Sequence, residues 1–378
     1  MDIIIREMRQ DEASDIKKLC RKAFNFLEVL ALTKPKTAFV ATIDDEIVGA
    51  VVYKLYQGRD KKIGYIDYVF VDPKCAGQGI GALLLEEAFQ FLWESGCYTI
   101  TALIKDDNVS SWKLFEKHGF VNTGIPKLIK ELGIAKALKL YFISPYCVGI
   151  GMEYYVASRE QSHQSGKTVT AKQILTYLLV NLIIFGVLSS WRFADVKTAI
   201  IAFAIILCGG ILFEYVGTLF SKQKWLFRFT NGGALLSVLI TFFSIFPMIG
   251  NWYPTNYENT PKFKRDIGVG ALLSWIFLLM ILLLSYIFLH YIYSHDPSHP
   301  EYLMTILIIM NKMSVMSATL LIYRCLPFYP FESYGGRRVY NWSKTIFIIM
   351  VLITLTAIIY FLFNRGFCYR LEWYRLAH

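Results

Sequence analysis

Residues 71–84 read Val-Asp-Pro-Lys-Cys-Ala-Gly-Gln-Gly-Ile-Gly-Ala-Leu-Leu, an apolar strand end that passes through a glycine-dense turn directly into a helix. Gly77, Gly79 and Gly81 have no Cβ, so the backbone N–H groups of this turn can approach an anion closely. The helix predicted over 80–93 adds the positive end of its dipole at the same place. The stretch therefore predicts a site that can hold a pyrophosphate.

The flanks of this turn place it inside an α/β domain. Residues 65–70 read Tyr-Ile-Asp-Tyr-Val-Phe, a strand pattern, and residues 108–120 have helical spacing followed by a glycine and an apolar residue. The same reasoning predicts further helices within 11–31 and further strands over 3–8, 37–43, 47–55, 98–104 and 148–156.

Two motifs give this domain a family resemblance. Residues 71–81 read Val-x-Pro-x-x-Ala-Gly-x-Gly-x-Gly, and residues 108–120 read Asn-x-x-Ser-x-x-Leu-Phe-Glu-Lys-x-Gly-Phe. Together they resemble the acyl-CoA turn and the following helix of the GNAT N-acetyltransferases, over roughly residues 1–159. The resemblance implies a mixed, mostly antiparallel sheet with helices on both faces, acetyl-CoA as co-substrate and an amine as acceptor.

The resemblance also implies which residues bind the cofactor: Val69, Phe70, Val71, Gly77, Gln78, Gly79, Ile80, Gly81, Asn108 and Phe115. Ala76 stands where the family usually carries Arg or Gln against the pyrophosphate, and Phe115 stands where many members carry a tyrosine general acid. A lost charge-assisted contact costs about 1.5–3 kcal/mol, but the backbone groups of the turn remain. We therefore expect weakened rather than abolished cofactor binding.

Asp67 is the nearest candidate general base, because it lies in the strand that precedes the turn. The alternative is a structural carboxylate that is hydrogen-bonded at the strand edge.

Composition divides the chain into two parts. Residues 1–160 hold 21 Lys and Arg and 21 Asp and Glu, so the whole formal charge of +10 belongs to the remainder, which is also the more apolar part. We predict a domain over 1–160, a polar linker over 161–172 and a helical membrane domain over 173–378. The excess charge indicates cytoplasmic loops and contact with membrane lipid rather than nucleic acid. The opening residues lack a signal-peptide pattern, so we expect the first domain on the cytoplasmic side.

Six apolar segments are near the length that spans a bilayer: 173–191, 196–220, 230–250, 267–293, 302–323 and 345–363. If all six crossed, the Lys- and Arg-bearing loops around 262–265 and 337–344 would face outward, against the positive-inside tendency. Segment 230–250 is interrupted by glycines and by Pro247. We therefore predict five spans and one re-entrant segment, at the cost of an outward basic C-terminal tail.

Three stretches of this half resemble site-2-protease-like membrane proteins. Residues 208–217 stand in the place of their G-x-x-x-x-H-E-x-x-H helix, 326–342 resembles their L-P-x-x-P-L-D-G region, and 267–274 is a fainter match. Phe213 and Gly217 occupy the two histidine positions. A zinc protease needs those imidazoles, so the resemblance implies a pseudoprotease scaffold with no metal.

Three charged residues of this half are candidates for contacts inside the bundle: Glu214, Lys312 and a displaced Glu332. A lysine in the middle of a spanning segment needs a partner or a water-filled cavity. We expect a pair between Glu214 and Lys312. Snorkelling of Lys312, or another partner, remains the alternative.

Residues 125–146 form an insertion relative to the GNAT pattern, with apolar and lysine residues at the spacing of a basic amphipathic helix. This helix would lie on the membrane, roof the acceptor groove, or simply pack on the domain.

Three functions fit this sequence. The first is a membrane-anchored transfer of acetyl from acetyl-CoA to an amine, with the membrane half as a non-proteolytic scaffold. The second is a pseudoenzyme, or an acyl-CoA-binding regulator of a membrane partner. The third is an acyltransferase that acts on a lipid amine.

Overall fold

The computed structural model of the chain describes residues 2–24, 34–57, 62–105, 108–124, 128–130, 133–135, 137–138, 152–159, 169–191, 195–230, 233–255, 260–295, 301–328 and 331–363. The chain divides into two compact units. The first comprises Met1–Val148 and Met152–Lys167, and the second comprises Gly149–Gly151 and Thr168–His378.

Seven strands of the first unit form one sheet in the order β1-β2-β3-β4-β5-β7-β6. The strands are β1 (Ile4–Glu7), β2 (Ala38–Ile43), β3 (Glu46–Gln57), β4 (Lys62–Val71), β5 (Cys97–Lys105), β6 (Val121–Thr123) and β7 (Met152–Ser158). Only β4 and β5 pair in parallel among these strands, and the other neighbours are antiparallel. The predicted mixed, mostly antiparallel sheet is confirmed. Residues 148–151, the start of the predicted last strand, lie outside the described residues.

Helices cover both faces of this sheet. They are α1 (Ala13–Ala23), α2 (Ile80–Glu94) and α3 (Val109–Lys117). Side chains of α1 pack with alternate residues of β3, including Ala50 and Val52. Gly49, which directly precedes Ala50, faces α2, because a Cβ there would lie 3.0 Å from Leu84 Cδ1. Successive strand residues point to opposite faces, so α1 and α2 lie on opposite sides, as predicted.

The described part of the 125–146 insertion packs on the domain. Leu128 and Ala137 are buried in one cluster with Tyr65, Tyr154 and Val156 of the sheet. These residues therefore pack on the domain, as one of the three alternatives expects, and most of the insertion lies outside the described residues.

The second unit is built from five long apolar helices. They are α4 (Thr170–Ser189), α5 (Val196–Thr218), α7 (Pro261–His295), α8 (Glu301–Arg324) and α10 (Lys344–Phe363). The shorter elements are the strands β8 (Trp225–Phe229) and β9 (Gly250–Pro254) and the helices α6 (Ala234–Thr241) and α9 (Gly336–Trp342). By length and composition, five helices in the described part of the chain could each cross a membrane.

Residues 230–250 do not form a sixth long helix. α6 has 8 residues and is about 12 Å long, far short of the 30 Å hydrocarbon layer. The two ends of the segment meet, because Phe229 pairs with Gly250 in the antiparallel hairpin of β8 and β9. This geometry, with both ends on one side, is the one expected of a re-entrant segment.

The extended backbone of this segment obtains its hydrogen bonds from side chains. Asn181 of α4 accepts from Met248 N at 2.7 Å and donates to Met248 O at 3.3 Å. The Ser237 hydroxyl donates to Phe246 O at 2.6 Å, and the Tyr334 hydroxyl donates to Pro247 O at 2.8 Å. Irregular backbone inside an apolar bundle is stable only when its polar groups have partners.

Asn181→Leu removes both contacts to Met248 and leaves a buried N–H and C=O without them. We expect a loss of roughly 2–4 kcal/mol, measured as a lower Tm of the detergent-purified chain. Thr176→Val is the matched control on the same helix, because its hydroxyl bonds only locally to Lys172 O. Equal effects of the two substitutions would contradict the assigned role of Asn181.

Candidate functional site

The sheet of the first unit opens between β4 and β5. Their parallel pairing runs from Lys62 and Cys97 to Ile66 and Ala102 and ends there. β4 nevertheless continues to pair with β3 as far as Val71, and β5 continues to pair with β7 as far as Lys105. The strands therefore separate, and the edge of β4 beyond Ile66 has backbone groups that β5 does not bind.

A cavity of about 140 Å³ occupies this opening. Its walls come from the separated strand ends, from the residue after α1 and from one face of α3: Phe24, Tyr65, Ile66, Asp67, Tyr68, Val69, Ala102, Leu103, Ile104, Lys105, Asn108, Ser111 and Phe115. We call it the strand-opening cavity. It is a mostly aromatic and apolar slot with few polar groups, which is the usual character of a small-molecule site.

The glycine turn lies at the end of β4. Asp72 shapes its first part by accepting from Lys74 N at 3.0 Å. Gly77 and Gly79 have φ of +85° and +80°, a backbone conformation that favours glycine. Gly79 is also the N-cap of α2 and provides no side-chain cap, and residues 76–79 are exposed.

This turn fits a phosphate group. The first N–H groups of α2 have no intrahelical acceptor, and the helix dipole favours an anion there. A Cβ built at Gly77 or Gly79 meets nothing within 4 Å, so the space over the turn is open to a ligand. Gln78, Ile80 and Gly81 belong to the same turn, and their cofactor-binding role stays a prediction.

Asp67 lines the strand-opening cavity and carries an ion pair. Its Oδ2 lies 2.6 Å from Lys54 Nζ, and its side chain is 6% exposed. The register of β3 and β4 shifts between the pairs of Val52 with Tyr68 and of Tyr53 with Ile66, so Asp67 is the extra residue of a β-bulge. Burial raises the pKa of the Asp67 carboxyl, and the Lys54 ammonium opposes that rise.

The two predicted residues of α3 have structural contacts as well. Asn108 caps the helix, because its Oδ1 accepts from Ser111 N at 3.2 Å and from Ser110 Oγ at 2.9 Å. Phe115 is buried and packs edge-to-face on Phe89 and Phe120. Both residues line the cavity, but Phe115 provides no hydroxyl there.

Sequence reasoning missed several residues of the cavity wall. Ser111 could have been found from helical spacing, because positions 108, 111 and 115 share one face of α3. Lys105 and Ile104 could have been found from the rule that ligands bind beyond the carboxyl ends of parallel strands. Phe24 carries no such signal in the sequence.

The structure corrects the predicted pair between Glu214 and Lys312. Glu214 Oε1 instead bonds Arg338 Nη1 at 2.9 Å, and both side chains are buried. Lys312 Nζ donates to Asp195 O and to Thr198 Oγ1, each at 2.6 Å. Thr198 and Glu214 lie on the same helix, about 24 Å apart along its axis, so one ammonium cannot serve both ends.

The two positions that the site-2-protease resemblance aligns with histidines are filled by close packing. Phe213 stacks against Phe277 with ring centroids 4.9 Å apart. A Cβ at Gly217 would lie 2.5 Å from Gly270 Cα, so α5 and α7 leave no room for an imidazole there. Glu332 is buried in the turn before α9. Within the described residues, no group of three or more His, Cys, Asp and Glu side chains is placed to hold a metal ion.

Comparison with known proteins matches the first unit to one family. Residues 4–120 match the family model described as "Acetyltransferase (GNAT) family". YwnH of Bacillus subtilis, provisionally named a phosphinothricin acetyltransferase, is 32% identical over 103 residues, which are 26% of this chain and 63% of that protein. Human N-alpha-acetyltransferase 30 is 35% identical over 88 residues, which are 23% of this chain and 24% of that protein.

The matched stretch thus spans less than two thirds of either relative. Among solved structures, the ribosomal-protein-S18-alanine N-acetyltransferase from Escherichia coli covers 43% of this chain and 98% of its own, at 14% identity and a TM-score of 0.32. The first unit has the GNAT fold, and the family match stops well before the apolar helices begin.

The ion pair between Asp67 and Lys54 predicts that a variant without the lysine has a pH-dependent stability. Lys54→Met takes the ammonium from a buried carboxylate, so the pKa of Asp67 should rise further. At a pH between the ordinary carboxyl pKa and this raised pKa, the folded state holds a proton that the unfolded chain has released. The free energy of unfolding therefore falls as the pH rises through this range. We expect a loss of about 1–3 kcal/mol at pH 8 and a smaller loss at pH 5, measured by thermal unfolding.

The double variant Lys54→Met/Asp67→Asn is the control, because its cavity holds neither charge. It should recover most of the stability at pH 8 and lose the pH dependence. Strictly additive effects would mean that the two side chains do not interact.

Proposed function

We propose that the first unit transfers an acetyl group from acetyl-CoA to an amine. The single observation that carries this proposal is the strand-opening cavity, which lies between β4 and β5 while the glycine turn closes the end of β4. A cofactor with its phosphates on the turn and its reactive group in the cavity would thus lie along one strand, β4. The match to the GNAT family supports the same activity.

The chain's own residues suit this task. N–H groups of Gly77 to Gly81 would hold the pyrophosphate, and the edge of β4 at Val69, Phe70 and Val71 would bind the extended part of the cofactor by backbone hydrogen bonds. Acetyl-CoA supplies a thioester that is open to attack by an amine. Phe115 and Asn108 form the wall beside it.

The acceptor is an amine whose proton must leave as the new amide bond forms. Asp67 is the proposed acceptor of that proton, because a carboxyl with a raised pKa is a stronger base than an ordinary one. Phe115 cannot return a proton to the departing thiolate, so most of the rate enhancement would come from binding and orientation.

The names of the relatives agree with this acceptor chemistry. One relative is named for the acetylation of phosphinothricin and the other for N-alpha-acetylation. For this chain we propose a primary amine, without assigning it to either group.

The second unit is proposed to anchor the enzyme in a membrane as a non-proteolytic scaffold. Five helices have the length and composition to cross. With five spans, the basic stretches at 222–228, 262–265 and 337–344 fall on the same side as Thr170, where the first unit is attached. By the positive-inside tendency this side is cytoplasmic.

A second candidate is an acyl-CoA-binding protein without turnover. It is favoured by Ala76 and Phe115, which provide neither the anion contact nor the proton donor that those positions commonly hold. The deciding experiment measures release of free CoA by the detergent-purified chain with acetyl-CoA and a panel of primary amines. Acceptor-dependent release supports the transferase, and saturable acetyl-CoA binding without release supports the second candidate.

Gly79→Asp should abolish acetyl-CoA binding, because its carboxylate would stand where the phosphates bind. Gly96→Asp is a matched control at the other end of α2, since Gly96 also has a φ of +80° and open space around it. Both variants bear the same backbone strain and charge. We expect acetyl-CoA to raise the Tm of Gly96→Asp as in the wild type and not that of Gly79→Asp. Stabilisation of both would place the cofactor elsewhere.

Ala76→Arg should lower the Kd for acetyl-CoA by up to roughly tenfold by adding a charge-assisted contact to the pyrophosphate. Leu83→Arg adds the same charge on an exposed position of α2 and controls for general electrostatic attraction. Isothermal titration of the three proteins measures the difference. An equal gain in both variants would contradict a specific contact at position 76.

A further inference from the structure

The helical unit holds a second cavity, of about 50 Å³, which the proposed acetyl transfer does not use. We call it the Arg324 cavity. One part of its wall is apolar and includes Leu207, Leu278 and Leu320. Another part is polar and includes Arg324, Ser274 and Asn251.

Arg324 brings a positive charge to this wall, and the two acceptors of its hydrogen bonds there are neutral. Its Nη2 donates to Ser274 Oγ at 2.9 Å, and its Nη1 lies 3.5 Å from Ala271 O. Among the described residues, no carboxylate oxygen lies within 4.0 Å of its guanidinium. A guanidinium that is partly buried among apolar helices is stabilised by an anion or water beside it.

Glu214, the carboxylate in the same wall, is already engaged. It accepts from Arg338 Nη1 at 2.9 Å and from Trp252 N at 3.3 Å. The pair of Glu214 and Arg338 is neutral as a whole. Arg338 does not line the cavity, but with it the three charged groups Glu214, Arg338 and Arg324 carry one net positive charge.

The size of the cavity limits the ligand. One water molecule needs about 10–15 Å³ of cavity volume, so 50 Å³ has room for about four groups of that size. Acetate has four non-hydrogen atoms. The planar fork of a guanidinium matches a carboxylate in two parallel hydrogen bonds, and a methyl group suits leucine side chains.

We propose that the Arg324 cavity binds one small carboxylate of the size of acetate. The carboxylate would accept from the Arg324 guanidinium, and its short aliphatic end would contact the leucines. This site is separate from the proposed acetyl transfer and does not depend on it.

Equilibrium dialysis of the detergent-purified full chain against radiolabelled acetate in chloride buffer tests the proposal. We expect one saturable site per chain, with competition by formate and none by the bulkier benzoate. No saturable acetate binding would mean that the cavity holds water only, and it would overturn the proposal. Failure of acetyl-CoA turnover would leave this result unaffected.

Two variants locate the site. Arg324→Gln removes the charge, and Gly210→Val directs a side chain into the cavity, where a Cβ would make an ordinary 3.6 Å contact with Ser274 Oγ. We expect each variant to weaken acetate binding at least tenfold. Lys344→Gln removes an exposed charge from the same unit and should bind as the wild type.

Gly210→Val retains Arg324, so it keeps the test decisive if Arg324→Gln fails to fold. A Tm close to that of the wild type establishes that this variant is folded. Undiminished acetate binding by either folded variant would overturn the assignment to this cavity.

Discussion

The pairing of backbone polar groups is the constraint on which both halves of this protein depend. In the N-terminal sheet every strand is paired along most of its length, except where β4 and β5 separate after Ile66 and Ala102. The unpaired edge of β4 is stable only because a ligand or water can reach it. The candidate active site is thus a local exception to the rule that forms the sheet.

The helical half meets the same constraint in a different way. Five long helices satisfy their own backbones, but the stretch before β9 is extended. Thr230 N donates to Ile249 O at 2.9 Å, and side chains bind other backbone groups of this stretch. Asn181, Ser237 and Tyr334 provide the missing donors and acceptors from three different elements. A buried asparagine in an otherwise apolar helix is explained by this contact rather than by chemistry.

The two halves also differ in how their buried charged side chains are paired. Asp67 is paired with Lys54 and lines the strand-opening cavity, where burial raises the pKa of its carboxyl and the Lys54 ammonium opposes that rise. Glu214 is held between Arg338 and the backbone of Trp252, deep among apolar side chains, which makes it a structural anion. Arg324 lacks such a partner among the described residues, and that imbalance distinguishes its cavity from ordinary packing defects.

The sequence by itself predicted the strands of the first unit, the glycine turn and the apolar segments that form the five long helices, because period and composition are local properties. It did not predict the hairpin of β8 and β9. It also showed that positions 213 and 217 carry no imidazole. Only the tertiary structure decided which charged groups meet. Lys312 and Glu214 lie at distant ends of the bundle interior, while Arg338, remote in sequence, reaches Glu214. Similarly, Lys54 meets Asp67 through strand register, and no spacing along the chain encodes such a contact between elements.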